Sequence, residues 1–249
     1  MSGLNTNIHR VTPAMRRCSA VDTGIPRHHD DSTGRRRAAI SADMLARRVR
    51  TDGFIDPCIP SRAAKPPSGP GWVHEIKHDG YRLIVRRDGA AVRLFTRRGY
   101  DWTDRYPAIA AAAGKLRARS FTIDGEAVVV GVDGVAVFDA LHRRHKASEA
   151  ILYAFDLLEL NDEDLRPTPL SARKAKLARL LARKPVGIVF NEHTEEDGAT
   201  VFRHACKLGF EGIVSKRLTA PYRSGPSRDW LKVKNPDSPA MVRAREGRW

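Results

Sequence analysis

Strand-length segments joined by tight turns, with helical stretches set between them, predict an α+β protein of largely antiparallel sheets. The firmest signal is a hairpin. Tyr81–Arg87 and Ala91–Arg97 alternate apolar and basic residues on either side of Asp88-Gly89. A second signal is the change of period at Ala172–Lys184, where Leu and Ala recur at helical spacing with Arg and Lys opposite. Strands dominate, most strand pairs read as hairpins, and the chain shows no internal repeat.

Taken in order, residues 1–51 hold ten arginines, no lysine and four aspartates, with only scattered large apolar residues. That composition predicts a disordered basic arm that attracts phosphate. Residues 54–71 are rich in Pro and Gly and predict an ordered but irregular lead-in around the outside of the domain. Trp72–Lys77 is the first clear strand, and the hairpin follows it. Its arginines Arg82, Arg86, Arg93 and Arg97 are expected on the outer face as a basic strip. Asp104–Arg117, with its alanine run, reads as a helix. Phe121–Val130 is a strand, Asp133-Gly134 a turn and Ile151–Leu160 another strand. Beyond the helix at 172–184, Val186–Phe190 is a short strand, and Thr200–Leu208 is a helix with Gly209 as its C-cap. Gly212–Lys216 is a strand, Pro221–Pro226 a turn-rich loop and Arg228–Lys234 the last strand. The predicted domain covers residues 52–240, with a short tail at 241–249.

The 249 residues are 41% hydrophobic, enough for one substantial core. A net charge of +15 points to a polyanionic partner. No apolar run approaches the roughly 20 residues that span a bilayer, and no signal-peptide pattern begins the chain. Nucleic acid is therefore expected rather than a membrane. Cys18, Cys58 and Cys206 lie far apart and form no CxxC pair, which argues against a zinc site or disulfide framework. A reducing, cytoplasmic, nucleoid-associated setting is expected.

The chemistry centres on Glu75-Ile76-Lys77-His78-Asp79-Gly80, which holds a lysine at the mouth of a sheet. Lysine is a nucleophile only without its ammonium proton, so desolvation or a nearby cation must act on Lys77. Four further stretches lodge charges in apolar strands, where burial demands partners. They are Asp124-Gly125-Glu126, Tyr153-Ala154-Phe155-Asp156, Glu211-Gly212-Ile213-Val214-Ser215-Lys216 and Trp230-Leu231-Lys232-Val233-Lys234. Together they offer a reactive lysine, carboxylates for a divalent cation, an aromatic face for a base and cations for a triphosphate. That is the equipment of nucleotidyl transfer.

These five stretches resemble motifs I, III, IIIa, IV and V of the ATP-dependent DNA ligases. The wording around Lys77, with Phe95-Thr96-Arg97-Arg98-Gly99-Tyr100-Asp101-Trp102-Thr103 after the hairpin turn, is most similar to the ligase domain of bacterial end-joining proteins. The resemblance spans about residues 52–240. It implies an ATP-grasp-like nucleotidyltransferase fold, ATP with Mg2+ or Mn2+, and nicked or broken double-stranded DNA as substrate in repair and recombination. It also implies roles. Lys77 would be adenylated, Glu75 would help read adenine through its strand backbone, and Phe155 would stack on the base. Arg82 and Glu126 would contact ribose and phosphate, with Glu126 also on the metal. Arg97 would hold a 5′ phosphate, in a stretch reading Thr96-Arg97-Arg98-Gly99 where the family more often has Ser-Arg-Asn-Gly. Glu211 would be a metal ligand. Lys216, Lys232, Lys234 and Arg228 would hold the triphosphate. In the family, motif V leads into an oligonucleotide-binding barrel. Only fifteen residues follow Lys234, too few for one. The expectation is a solitary adenylation domain, weak in nick sealing unless a separate oligonucleotide-binding or end-joining protein assists. An RNA ligase, a capping-type guanylyltransferase and a non-catalytic nucleic-acid-binding remnant are the competing readings.

Overall fold

The computed structural model describes residues 53–132, 134–142, 149–183 and 185–247. The arm assigned to residues 1–51 lies outside them, as do Asp133 and Lys184. Eleven described strands run in chain order as β1 (Cys58–Arg62), β2 (Trp72–Ile76), β3 (Tyr81–Asp88), β4 (Ala91–Thr96), β5 (Ser120–Val128), β6 (Ile151–Leu160), β7 (Glu163–Asp164), β8 (Ile188–Phe190), β9 (His193–Thr194), β10 (Gly212–Arg217) and β11 (Gly225–Lys234). The described helices are α1 (Pro107–Gly114), α2 (Phe138–His142), α3 (Leu170–Leu180), α4 (Gly198–Lys207) and α5 (Pro239–Arg245).

The strands form two sheets. One has the order β1-β11-β10-β2-β9, the other β4-β3-β5-β6-β7, with β8 added alongside β6. Every pairing is antiparallel except β1 with β11 and β6 with β8. Strand alternation explains how the layers stack. On β3, Leu83 and Val85 turn toward α1 and α3, where they join Ile109, Ile123, Leu157 and Leu177 in the main core. Ile84, between them, faces the other way and packs with Phe95, Phe155, Leu158, Tyr222 and Trp230. That second cluster draws on both sheets, so it glues one sheet to the other. A third, smaller cluster seats α4 on β10 and β11 through Ala205, Ile213 and Val233. No helix among the described residues is long and apolar enough to cross a membrane.

The antiparallel α+β expectation holds, and the differences have local causes. The helix expected at 104–117 is a 3-10 turn, Thr103–Arg105, followed by α1. Pro107 separates them, because proline suits the first turn of a helix but not its interior. The irregular lead-in contains β1, an edge strand whose Pro60 needs no partner on the open side. From residue 241, the stretch assigned to a tail carries most of α5, which is capped by Ser238 accepting from the Met241 N–H. The largest difference lies in α3, where the expected solvent-facing cations Arg173 and Lys174 are buried.

Arg173 forms a two-bond ion pair with Asp156 at 2.8 and 3.0 Å, both side chains being fully buried. This pair bolts α3 to the middle of β6. Removing one partner strands a buried charge, whereas removing both does not. Asp156→Ala should therefore destabilise the fold by about 3–5 kcal/mol, and Asp156→Leu with Arg173→Met should recover most of that loss. Denaturant unfolding checks both. Equal losses in the single and double variants would contradict the pair's role.

Candidate active site

A cavity of about 950 Å³ opens between the two sheets, and its wall takes in Glu75, Lys77, Arg82, Glu126, Phe155 and Lys216. Lys77 sits where β2 ends. Its backbone N–H donates to the Gly212 carbonyl at 2.9 Å, which ties it to the start of β10. Gly212 has φ +143°, and a Cβ there would come within 2.0 Å of the Val233 carbonyl oxygen, so a glycine is required. Immediately before it, Glu211 reaches back to the lysine. Lys77 Nζ lies 2.5 Å from Glu211 Oε2, and Lys234 Nζ lies 2.8 Å from Glu211 Oε1. One carboxylate thus serves two ammonium groups.

This geometry decides the charge on Lys77. Burial pulls its pKa down, but Glu211 and then Glu126 outweigh that, and the net shift is upward from the ordinary lysine value. Of the two influences expected on Lys77, burial acts in the expected direction, but the neighbouring carboxylates override it and hold the lysine charged. Burial also pushes Glu211 up, but Lys77 and Lys234 overcome it and hold the carboxyl below the usual range. Glu126 is different. Burial pushes it up to about 7, against Lys77 and Arg82, with Glu211 adding repulsion. Two carboxylates that repel each other beside a lysine suit a hard divalent cation, which takes oxygen ligands and typically one or two carboxylates when phosphates supply the rest. Among the described residues no group of three or more His, Cys, Asp or Glu side chains gathers for a metal.

The inner wall is aromatic and cationic. Phe155 and Trp230 meet edge to face at 6.1 Å, and Lys216 Nζ lies 4.3 and 4.0 Å from their ring centroids. Lys216 also pairs with Glu75 at 2.8 Å, and Lys174 of α3 holds the other Glu75 oxygen at 2.8 Å. Burial pushes Glu75 up, but those two lysines outweigh it and keep the carboxyl ionised. Asn191 donates to Glu75 Oε2 at 3.2 Å and lies 3.0 Å from His78 Nε2, while His78 stacks on Tyr153 at 3.9 Å. Both oxygens of the Glu75 carboxylate thus lie at ion-pair distance from a lysine, although Oε1 makes no hydrogen bond of good geometry.

The other expected site residues divide. Lys232 lines the cavity, and burial pulls its pKa down, with Lys77 and Lys234 pushing the same way. Arg97 and its neighbour Arg98 are exposed on the cavity wall. Lys234 is committed to Glu211. Arg228 is exposed on β11 and is not part of the cavity wall. Arg82, expected on an outer basic strip, instead makes a two-bond ion pair with Asp124 at 2.5 and 2.6 Å, and its guanidinium lies 4.6 Å from the Phe155 centroid. Arg86 likewise pairs with Glu159 at 2.8 Å, so the strip is broken, and Arg93 and Arg97 are the exposed remainder. Tyr222 donates to Asp124 at 2.6 Å and accepts from the Cys58 N–H at 2.9 Å.

Lys174, Asn191 and Tyr222 escaped the sequence reading. One signal for them existed. Glu75, Asp124 and Asp156 are carboxylates in apolar strands, and each needs a partner from elsewhere in the chain. Nothing in one sequence says which residue supplies it.

Comparison with known proteins agrees with this geometry. A family model described as "ATP dependent DNA ligase domain" matches residues 55–234. A "Multifunctional non-homologous end joining protein LigD" from Pseudomonas aeruginosa is 39% identical over 222 residues, covering 85% of this chain and 26% of that protein. A LigD protein from Mycobacterium tuberculosis is 37% identical over 181 residues, covering 71% of this chain and 24% of its own length. The chain thus spans about a quarter of the length of these relatives. Among solved structures, a "mycobacterial DNA ligase D complexed with ATP and MES" aligns with a TM-score of 0.63 at 32% identity, covering 72% of this chain and 59% of that one. The ligase domain of M. tuberculosis LigD aligns with a TM-score of 0.62 at 33% identity, covering 72% and 60%.

Lys216 gives the site a pH signature. Burial pulls it down to about 8 from the ordinary 10.5, against Glu75. Between those values the unfolded chain binds more protons than the folded one, so this group makes stability rise with pH across that window. Lys216→Met should remove that rise, narrowing the gain between pH 8 and pH 10 by about 1–3 kcal/mol relative to the parent. Denaturant unfolding at the two pH values measures it. Parallel pH profiles would contradict the burial of a strained ammonium.

Proposed function

The chain belongs to the family of ATP-dependent DNA ligase domains, and on that premise we propose that Lys77 takes AMP from ATP as the first step of joining DNA ends. Lys77 Nζ attacks the α-phosphorus in line. The nitrogen–phosphorus bond forms, the bond from the α-phosphorus to the bridging oxygen breaks, and pyrophosphate leaves. The Lys77 proton has an acceptor within reach in Glu211 Oε2, at 2.5 Å. Because Glu211 is held below the usual carboxylate range, this transfer is uphill on its own and accompanies the attack. The observation that carries the reading is Lys77, on the wall of a cavity that also carries Phe155, Lys216 and Lys232, paired at 2.5 Å with Glu211.

The other residues bind and orient. Phe155 offers a flat face to adenine, and the backbone of Glu75 on β2 lies beside it. Lys216 and Lys232 supply charge for the phosphates, with Lys234 released from Glu211 as the triphosphate enters and Arg228 serving from outside the cavity wall. Arg82 and Glu126 address the ribose and α-phosphate side. Glu126 and Glu211 would hold magnesium or manganese, which when bound neutralises charge on the phosphates. Arg97, exposed on the cavity wall, would hold a DNA 5′ phosphate. Nicked or broken duplex DNA is then the substrate of the later steps, and end joining in repair is the role that the relatives' names support. The arginine-rich residues 1–51, assigned as an arm, would add sequence-independent phosphate attraction.

Lys77→Arg keeps a positive charge but cannot lose its proton near neutral pH. With α-labelled ATP and magnesium, the parent chain should carry covalent label on a denaturing gel and Lys77→Arg none. GTP should label neither. Undiminished label in the Arg variant would overturn the assignment of Lys77, and label from GTP alone would favour a capping-type guanylyltransferase.

A further inference from the structure

Helix α5 lies beyond the matched residues 55–234, yet it touches the loop that carries Lys77. We propose that Arg243 is a positioning residue for Lys77, acting through Asp79. This inference rests on the reading that Lys77 accepts AMP.

The loop Lys77–Gly80 lies between β2, which ends at Ile76, and β3, which begins at Tyr81. Its two ends are fixed through the backbone. Lys77 N–H donates to Gly212 O at 2.9 Å, and Gly80 sits so close to β5 that a Cβ would come within 2.1 Å of the Ala127 carbonyl oxygen. The two residues between rely on side chains. His78 is held by its stack on Tyr153 and its hydrogen bond to Asn191. Asp79 is held by Arg243, whose Nη2 donates to Asp79 Oδ2. The same guanidinium lies 4.7 Å from the Phe138 ring centroid, so one side of it is covered by an aromatic face. Both side chains of the pair are more than four-fifths buried.

The other end of α5 is tied to the partner of Lys77. Asn235 N–H donates to the Glu211 carbonyl at 2.9 Å, and Asn235 Nδ2 donates to the Phe210 carbonyl at 3.1 Å. Ser238 then caps the helix. One short helix therefore links the backbone of Glu211 to the side chain of Asp79, and those residues flank the Lys77 ammonium. Asp79 acts on the Lys77 charge from two residues away. Unpaired, it would be a second carboxylate competing with Glu211 for that ammonium. Paired with Arg243, it leaves Lys77 to point at Glu211. Arg243 accordingly sets the direction of the nucleophile without touching the nucleotide.

Small errors in the placement of a reacting group slow chemistry more than binding. Arg243→Met should lower the single-turnover rate of Lys77 labelling by ATP about 10- to 100-fold while changing the apparent KM for ATP by less than about threefold. Arg243→Lys, which keeps the charge, should recover part of the rate. Phe138→Leu, which removes the supporting ring, should show a smaller loss of the same kind. Hydrogen exchange of the Lys77 amide, which donates to the Gly212 carbonyl, should quicken in Arg243→Met with the melting transition still cooperative. This readout is independent of activity. If the parent chain takes no label, the assignment of Lys77 fails while the exchange rates still decide whether Arg243 holds the loop. Parent-like labelling and exchange in Arg243→Met, or a loss confined to ATP binding, would overturn the inference.

Discussion

Lys77 is held in this site against a carboxylate that keeps its proton on. The Lys77–Glu211 contact at 2.5 Å is the interaction on which the rest is arranged. It is held by the backbone bond from Lys77 to Gly212, the glycine that follows Glu211, so the two charges cannot drift apart. Glu211 is shared with Lys234 at 2.8 Å. On the proposed reading, an incoming triphosphate competes for Lys234, and a divalent cation competes for Glu211 and Glu126. Losing Lys234 would make Glu211 a better acceptor for the Lys77 proton, and a cation beside Glu126 and Glu211 would oppose the Lys77 charge, each at the moment an electrophile is present. Charge storage of this kind keeps a nucleophile from acting before its substrate arrives.

The frame around that contact is built from charges answering one another across elements. Arg82 on β3 pairs with Asp124 on β5 and donates to the Cys58 carbonyl on β1, at 3.1 Å, which joins the two sheets. Tyr222 adds a second tie between the same partners. Helix α3 is fastened to both sheets by neighbouring cations, Arg173 to Asp156 on β6 and Lys174 to Glu75 on β2. Such buried pairs contribute little net stability over apolar packing, yet removing one partner is expensive. Their value here is geometric. They fix the distance between sheets, and with it the width of the cavity that Phe155 and Trp230 floor.

The fold was legible where one residue period or one turn decides the element. The hairpin at Asp88-Gly89 is an example, since alternation and turn chemistry agree there. The site was legible as a set of charged residues in apolar strands, because burial of a charge is visible in a single sequence. The partners of those charges were not. Arg173 and Lys174 sit on a helix whose pattern reads as solvent-facing, and only the presence of Asp156 and Glu75 behind it turns the pattern around. Arg82 was misplaced for the same reason, because alternation gives a face but does not say which face the second sheet covers. Pro60 hid β1, since a proline argues against a strand until the strand is known to lie at an edge. The charge state of Lys77 also depends on Glu211, which lies 134 residues away.

The central claim is that the free site holds Lys77 charged through Glu211. A titration of the Lys77 side chain by nitrogen or carbon NMR, in the nucleotide-free protein and in Glu211→Gln, tests it most directly. In the parent chain Lys77 should titrate above the ordinary lysine value of 10.5. In Glu211→Gln it should titrate lower, because burial then meets less opposition. A parent Lys77 that titrates below 10.5, or one that the substitution does not move, would contradict the account.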